Sequence, residues 1–296
     1  MSWTSRLVER ATGGLLRVDP ADFLEPAGEP GIVGPDSLSW RVFGNPVSLA
    51  VGGVAAVLLE LAEPRVRAGV WDHSSFRTDP AGRIRRTGYG AMLTVFAART
   101  RFSAYAARVN RIHSVIAGTA DDGRAYRADE PELLRWVQAT AAFGFVEGYR
   151  TLVQPLTPPD RDLFYAEAAA GARYYGVVDP PLSDSAMREL LAATVPQLTP
   201  SPVLHEFLAI MRAAPILPGP AGRLQPALVR AALGLVGPEA LAAMGLEGER
   251  GWSKGEQGWW ARLAQGAERI PRPGDPRRLA KRRLSRPAAS AARPRS

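Results

Sequence analysis

The stretch FSAYAARVNRIHSVIA, residues 102–117, places Phe102, Tyr105, Val109, Ile112 and Ile116 three and four residues apart. Since 3.6 residues complete a helical turn, these side chains form one apolar stripe on an α-helix. His113 stands four residues after Val109 and three before Ile116, so the same geometry turns its imidazole inward. Working outward, the same period predicts helices over 48–62, 81–98, 131–152 and 158–175, and later over 183–195, 201–213, 226–235, 238–244 and 255–267. Pro131, Pro158, Pro226 and Pro238 open four of them, at the first turn where a missing amide donor costs little. A short strand over 37–43, and an extended stretch at 125–127 after a turn at 118–123, are the only β signals. The fold class is therefore all-α: a single globular helical domain over 37–270, preceded over 1–36 by a helix and an extended Pro- and Gly-rich arm, and followed over 271–296 by a basic, disordered tail.

A hydrophobic content of 46 % supports one packed core in 296 residues. The chain has no cysteine, which excludes disulfides, thiolate-ligated haem, iron–sulfur clusters and cysteine zinc sites. The most apolar run, residues 46–59, falls short of the roughly 20 residues that span a bilayer. The first twenty residues carry Arg6, Glu9, Arg10 and Arg17 and lack the apolar core of an export signal, so a cytoplasmic protein is expected, with room for peripheral contact at the inner face of the membrane. The net charge of +8 sits at one end: from Pro271 onward nine basic residues face Asp275 alone. Such a tail can bind nucleic acid, associate weakly with anionic lipid, or simply keep the chain soluble, and no specific nucleic-acid motif accompanies it.

The three histidines, His73, His113 and His205, are far apart in sequence, which leaves no helical zinc pair. No nucleophile elbow, phosphate-binding Gly-rich loop with Lys or dinucleotide fingerprint is present, so the common hydrolase, kinase and dehydrogenase readings lose their support. Read from its residues alone, His113 is either a core imidazole bonded to a neighbour or a neutral imidazole whose lone pair is free for iron. From Asp79, a helix cap, Arg83, Arg86 and Thr87 share one helical face. Their charges could meet an anionic cofactor edge or bound oxygen, or form a solvated basic helix start. Gly88 and Gly90 would let a flat ligand approach the backbone. Glu63 and Glu147 are either buried carboxylates or caps and surface salt bridges. His73, followed by Ser74, either stands near a bound cofactor or ties the loop before Asp79, the structural role being preferred, and His205, beside Glu206, reads as a surface or packing residue.

Several segments follow one another in a familiar order. They are Leu58-Leu59-Glu60-Leu61-Ala62-Glu63-Pro64-Arg65-Val66-Arg67-Ala68-Gly69-Val70, His73-Ser74-Ser75-Phe76, Asp79-Pro80 and Arg83 to Thr87. Arg111-Ile112-His113-Ser114-Val115-Ile116-Ala117-Gly118, Tyr126-Arg127-Ala128 and Leu133-Leu134-Arg135-Trp136-Val137 come after them. Over about residues 38–240 this order resembles the family of the latex-clearing rubber oxygenases and the fungal oxygenase MpaB of mycophenolic acid biosynthesis. The resemblance implies a globin-like helical core around non-covalent haem b, with His113 as the metal ligand. It places Arg83, Arg86 and Thr87 on the opposite, catalytic side, also in contact with the cofactor. Arg86 stands where the rubber oxygenase has a lysine, and a guanidinium that stays protonated is a poor iron ligand. Glu63-Pro64 replaces the His-Pro of many relatives, and Trp136-Val137-Gln138 replaces their Trp-Val-His. The activity implied is oxygenation of an apolar substrate, an isoprenoid or unsaturated lipid, by dioxygen. Residues 48–62 and 139–146 would line its path, and Arg83 or Arg86 would stabilise developing negative charge. Two other readings stay open: a non-catalytic haem- or ligand-binding sensor or carrier, and a haem-free protein acting at a membrane surface.

Overall fold

The computed structural model describes residues 19–287 apart from 215, 218, 271 and 273. The helix expected at the start of the chain and the last residues of the expected tail lie outside these. Over the described residues the protein is all-α, 69 % helical with two short strands. Its helices are α1 (Pro20–Leu24), α2 (Leu38–Val42), α3 (Pro46–Ala62), α4 (Pro64–His73), α5 (Pro80–Phe96), α6 (Arg99–His113), α7 (Pro131–Leu152), α8 (Pro158–Ala172), α9 (Asp184–Thr194), α10 (Pro202–Ala213), α11 (Gln225–Val236), α12 (Pro238–Ala243), α13 (Lys254–Glu268) and α14 (Pro276–Leu284). Between α6 and α7, β1 (Ala117–Thr119) pairs antiparallel with β2 (Ala125–Arg127), Gly118 opposite Tyr126. The hairpin takes Ala117, so α6 stops at His113 rather than running to residue 117.

Helices α3 and α7 form the centre. Asn45 starts α3 by accepting from the amides of Val47 and Ser48 at 3.1 and 3.0 Å, and Pro46 occupies the first turn. The two helices approach through glycines: a Cβ on Gly52 would sit 2.2 Å from the Gly144 carbonyl oxygen, and one on Gly148 2.6 Å from that of Ser48. This closeness buries Val51, Ala55, Leu58, Ala139 and Val146 in the main core, to which α10 and α11 add Leu204, Phe207, Val229 and Leu233. At Glu63-Pro64 the chain bends by 108° into α4. Glu63 makes the corner, its carboxylate accepting from the Val66 amide at 2.8 Å and pairing with Arg65 at 2.9 Å. Among the described residues no single helix is long and apolar enough to cross a membrane; the bent pair α3–α4 meets the requirement only when taken together.

Two expectations are corrected. The segment expected as a strand over 37–43 is helix α2, because Ser37 caps it and the Glu167 carboxylate accepts from the amides of Leu38 and Ser39 at 3.1 and 2.8 Å. The tail expected to be loose from Pro271 contains α14, which Asp275 caps by accepting from the Arg277 amide at 2.9 Å. Leu279 and Ala280 of α14 enter a second core with Phe23, Trp40, Phe96 and Phe102. Arg283, wholly buried, donates to the carbonyls of Glu29, Phe23 and Phe96 at 2.8–2.9 Å. The arm before α2 is irregular beyond α1 and is pinned where the Arg99 amide donates to the Pro30 carbonyl at 3.0 Å.

Candidate functional site

One cavity of about 710 Å³ lies among α3 to α8, within the usual size range of small-molecule sites. His113, Arg83, Arg86, Thr87 and His73 all line it, and so does Gln138. Residues far apart in sequence therefore share one space. Glu63 and Glu147 do not reach it: Glu63 is the helix corner, and Glu147 pairs with Arg150. His205 is exposed on α10, in keeping with a surface role.

His113 ends α6 half-buried, its Nδ1 enclosed and without a hydrogen-bond partner among the described residues. Burial lowers its pKa, and the positive charge of Arg83 lowers it further, while Asp129 opposes both more weakly. The imidazole is therefore neutral at pH 7, and the neighbour bond of a core histidine is not found for Nδ1.

Arg83 reaches the cavity from the first turns of α5. Asp79 fixes that helix start by accepting from the Gly82 amide at 2.8 Å. Thr87, one turn later, donates to the Arg83 carbonyl at 3.0 Å and accepts from the Arg83 guanidinium, which orients it. Arg86 is held outward by Asp79 and Ser75 at the cavity edge. The face predicted for the three residues is thus split: Arg83 points to the interior, with Thr87 bracing it, and Arg86 guards the rim.

Sequence reasoning missed Glu60. It is the only charged residue of α3, stands in its last turn, and lines the cavity. Burial pushes its carboxyl up to about 8, and the Arg83 charge pulls in the opposite direction. A lone carboxylate in a seventeen-residue apolar helix is the signal that could have found it. Tyr105 was read only as part of an apolar stripe. Its hydroxyl fills the space beside Gly90, where a Cβ would come within 2.5 Å, so Gly90 makes room for a side chain rather than for a flat ligand. Of the predicted apolar path, α7 supplies Ala141, Ala142 and Phe145, whereas α3 contributes Glu60 alone, since its apolar face is spent on α7 and α11.

The wall is thus mainly apolar, with a neutral histidine, a braced arginine and a carboxyl that titrates near neutrality. Such a set can hold a metal through one imidazole, stabilise negative charge, and take or give a proton. A family model described as "ER-bound oxygenase mpaB/B'/Rubber oxygenase, catalytic domain" matches residues 40–269. No curated protein and no solved structure gives a significant match to the chain.

Proposed function

The chain belongs to the oxygenase family of mpaB/B' and rubber oxygenase, and from that premise we propose that it is a haem b-dependent oxygenase acting on an apolar substrate of isoprenoid or unsaturated-lipid type. The observation that carries the reading is the enclosed, unpartnered Nδ1 of a neutral His113 in the same cavity as Arg83 and Glu60. Among the described residues no group of three or more metal-ligating side chains comes together. A metal on His113 therefore needs further donors, which a porphyrin brings with it. The residues present fit that group: one imidazole, no competing thiolate, and an apolar chamber.

When bound, haem b supplies the iron at which dioxygen is activated. His113 is the metal ligand, and its neutrality leaves a lone pair for the bond. Arg83, fixed by Thr87 and partly desolvated, stabilises negative charge developing in the cavity; a preset guanidinium there reorganises little during reaction. Glu60, near 8, exists in both protonation states around neutral pH and can hold or release a proton inside the cavity. The apolar residues of α7 exclude water and bind the carbon skeleton. The exposed basic residues of α14 remain available for weak contact with anionic groups outside.

The test is the absorption spectrum of the protein produced with ample haem, followed by dioxygen consumption with a panel of unsaturated lipids. A haem band together with substrate-dependent uptake is expected. A colourless, folded protein removes the proposal, and a haem protein with no uptake makes it a carrier or sensor.

A further inference from the structure

Five residues of the cavity wall are exposed: His73, Arg86, Thr87, Arg108 and Ile112. They come from the end of α4, the first half of α5 and the last half of α6, so the cavity opens between these elements. Ile112 lines the cavity and is 51 % exposed, which puts it at the rim, and Val115, in the turn that prolongs α6, is 81 % exposed. Arg108, Arg111, Ile112 and Val115 stand at i, i+3, i+4 and i+7, which makes them one stripe that runs from the cavity rim at Arg108 and Ile112 onto the outer surface at Arg111 and Val115. Arg111 and Val115 do not line the cavity, so whatever fills it leaves them uncovered.

The two helices at the mouth carry charge of one sign, and the carboxylates beside them, Asp79 and Asp129, are each engaged by an arginine. Helices α5 and α6 carry seven arginines and no Asp or Glu. Arg86 and Arg101 are paired, with Asp79 and Asp22, whereas Arg85, Arg108 and Arg111 form no ion pair among the described residues. Free cations flanking an exposed aliphatic pair suit the boundary between headgroups and acyl chains, where apolar side chains enter and guanidinium groups meet phosphates.

We infer that this stripe docks the cavity mouth on an anionic lipid bilayer. The inference rests on the apolar-substrate reading: a substrate dissolved in the bilayer then reaches the cavity without crossing water. The basic α14 is the competing surface, but its apolar face is already buried in the second core, against α1 and the Phe96 end of α5, whereas the mouth is formed by the first half of α5.

The experiment is co-sedimentation of the full chain with vesicles of phosphatidylcholine alone or mixed with phosphatidylglycerol, at low and raised salt. Two variants are compared, Arg111→Glu with Val115→Ser on the stripe, and Arg278→Glu with Arg282→Glu on α14. Circular dichroism and the haem spectrum are recorded on the same samples, so loss of the haem reading is seen separately from loss of docking. Salt-sensitive binding to the anionic vesicles is expected, weakened roughly tenfold or more by the stripe variant and much less by the α14 variant. Absence of binding overturns the inference, as does binding abolished only by the α14 variant. Self-association, or capture by a soluble acidic protein, that is lost in the stripe variant while vesicle binding persists also overturns it.

Discussion

Glu60 and Arg83 set each other's charge inside the cavity: burial raises the Glu60 carboxyl to about 8, and the Arg83 guanidinium opposes that rise. The folded value lies above the ordinary 4.5, so the native protein holds a proton that the unfolded chain has released between pH 4.5 and about 8. Stability from this group therefore falls as pH rises through that window. Glu60→Gln flattens this part of the profile. Arg83→Gln raises the Glu60 carboxyl further, which moves the fall to higher pH. Urea midpoints from pH 5 to 9 for the three proteins check it; equal slopes for wild type and Glu60→Gln would show that Glu60 is ionised in the fold.

His113→Ala is expected to strip the protein of haem while leaving its helical content, because the chamber keeps its apolar wall and loses only the metal bond. His205→Ala on the surface of α10 changes nothing, and His73→Ala at the mouth affects activity or stability more than haem retention. Absorption spectra at matched protein concentration decide among them. An unaltered spectrum in His113→Ala removes it as the ligand.

Gly144→Ala brings a Cβ to 2.3 Å from the Gly52 carbonyl oxygen, a backbone atom that cannot swing aside. The α3–α7 contact must open, at a cost of about 1–3 kcal/mol or somewhat more. Gly266→Ala, with open space around it, is the control, and a Cβ there is neutral or slightly stabilising. Denaturant unfolding of both variants measures the difference.

How far the sequence carried depended on the range of the interactions. The period through Phe102 and His113 located α6 and brought the imidazole to the cavity, because local spacing decides which way a helical residue points. The same period put Ile112 on the cavity wall, but its 51 % exposure at the rim was not legible, because exposure is set by what packs around the end of α6. Arg83 and Thr87 were legible as one face, whereas the split from Arg86 depends on Asp79 and Ser75 holding that side chain at the rim. Glu60 was overshadowed by Glu63, three residues on and beside a proline, whose carboxylate turned out to serve the backbone corner. Helix α2 escaped notice because the carboxylate that supports its start, Glu167, lies more than 120 residues away.

The hardest element to read was α14, and it supports the last prediction. Composition alone makes residues 271–296 a solvated basic tail, because arginine is seldom buried without partners. Here Arg283 has them: its Nε donates to Glu29 at 2.9 Å, and its Nη1 donates to Phe23 at 2.9 Å and to Phe96 at 2.8 Å. These carbonyls lie in the arm and at the end of α5, so one guanidinium ties three separate segments together over the second core. Arg283→Ala leaves the three carbonyls without that donor and opens a cavity, for a loss of about 3 kcal/mol or more. Arg283→Lys recovers only part, since an ammonium does not reproduce the planar fork. A stop codon in place of Asp275 removes Leu279 and Ala280 as well and costs more than the single substitution. Thermal unfolding of the three proteins, followed by circular dichroism, measures these losses. A truncated chain melting with the full-length protein would mean that α14 contributes nothing to the fold.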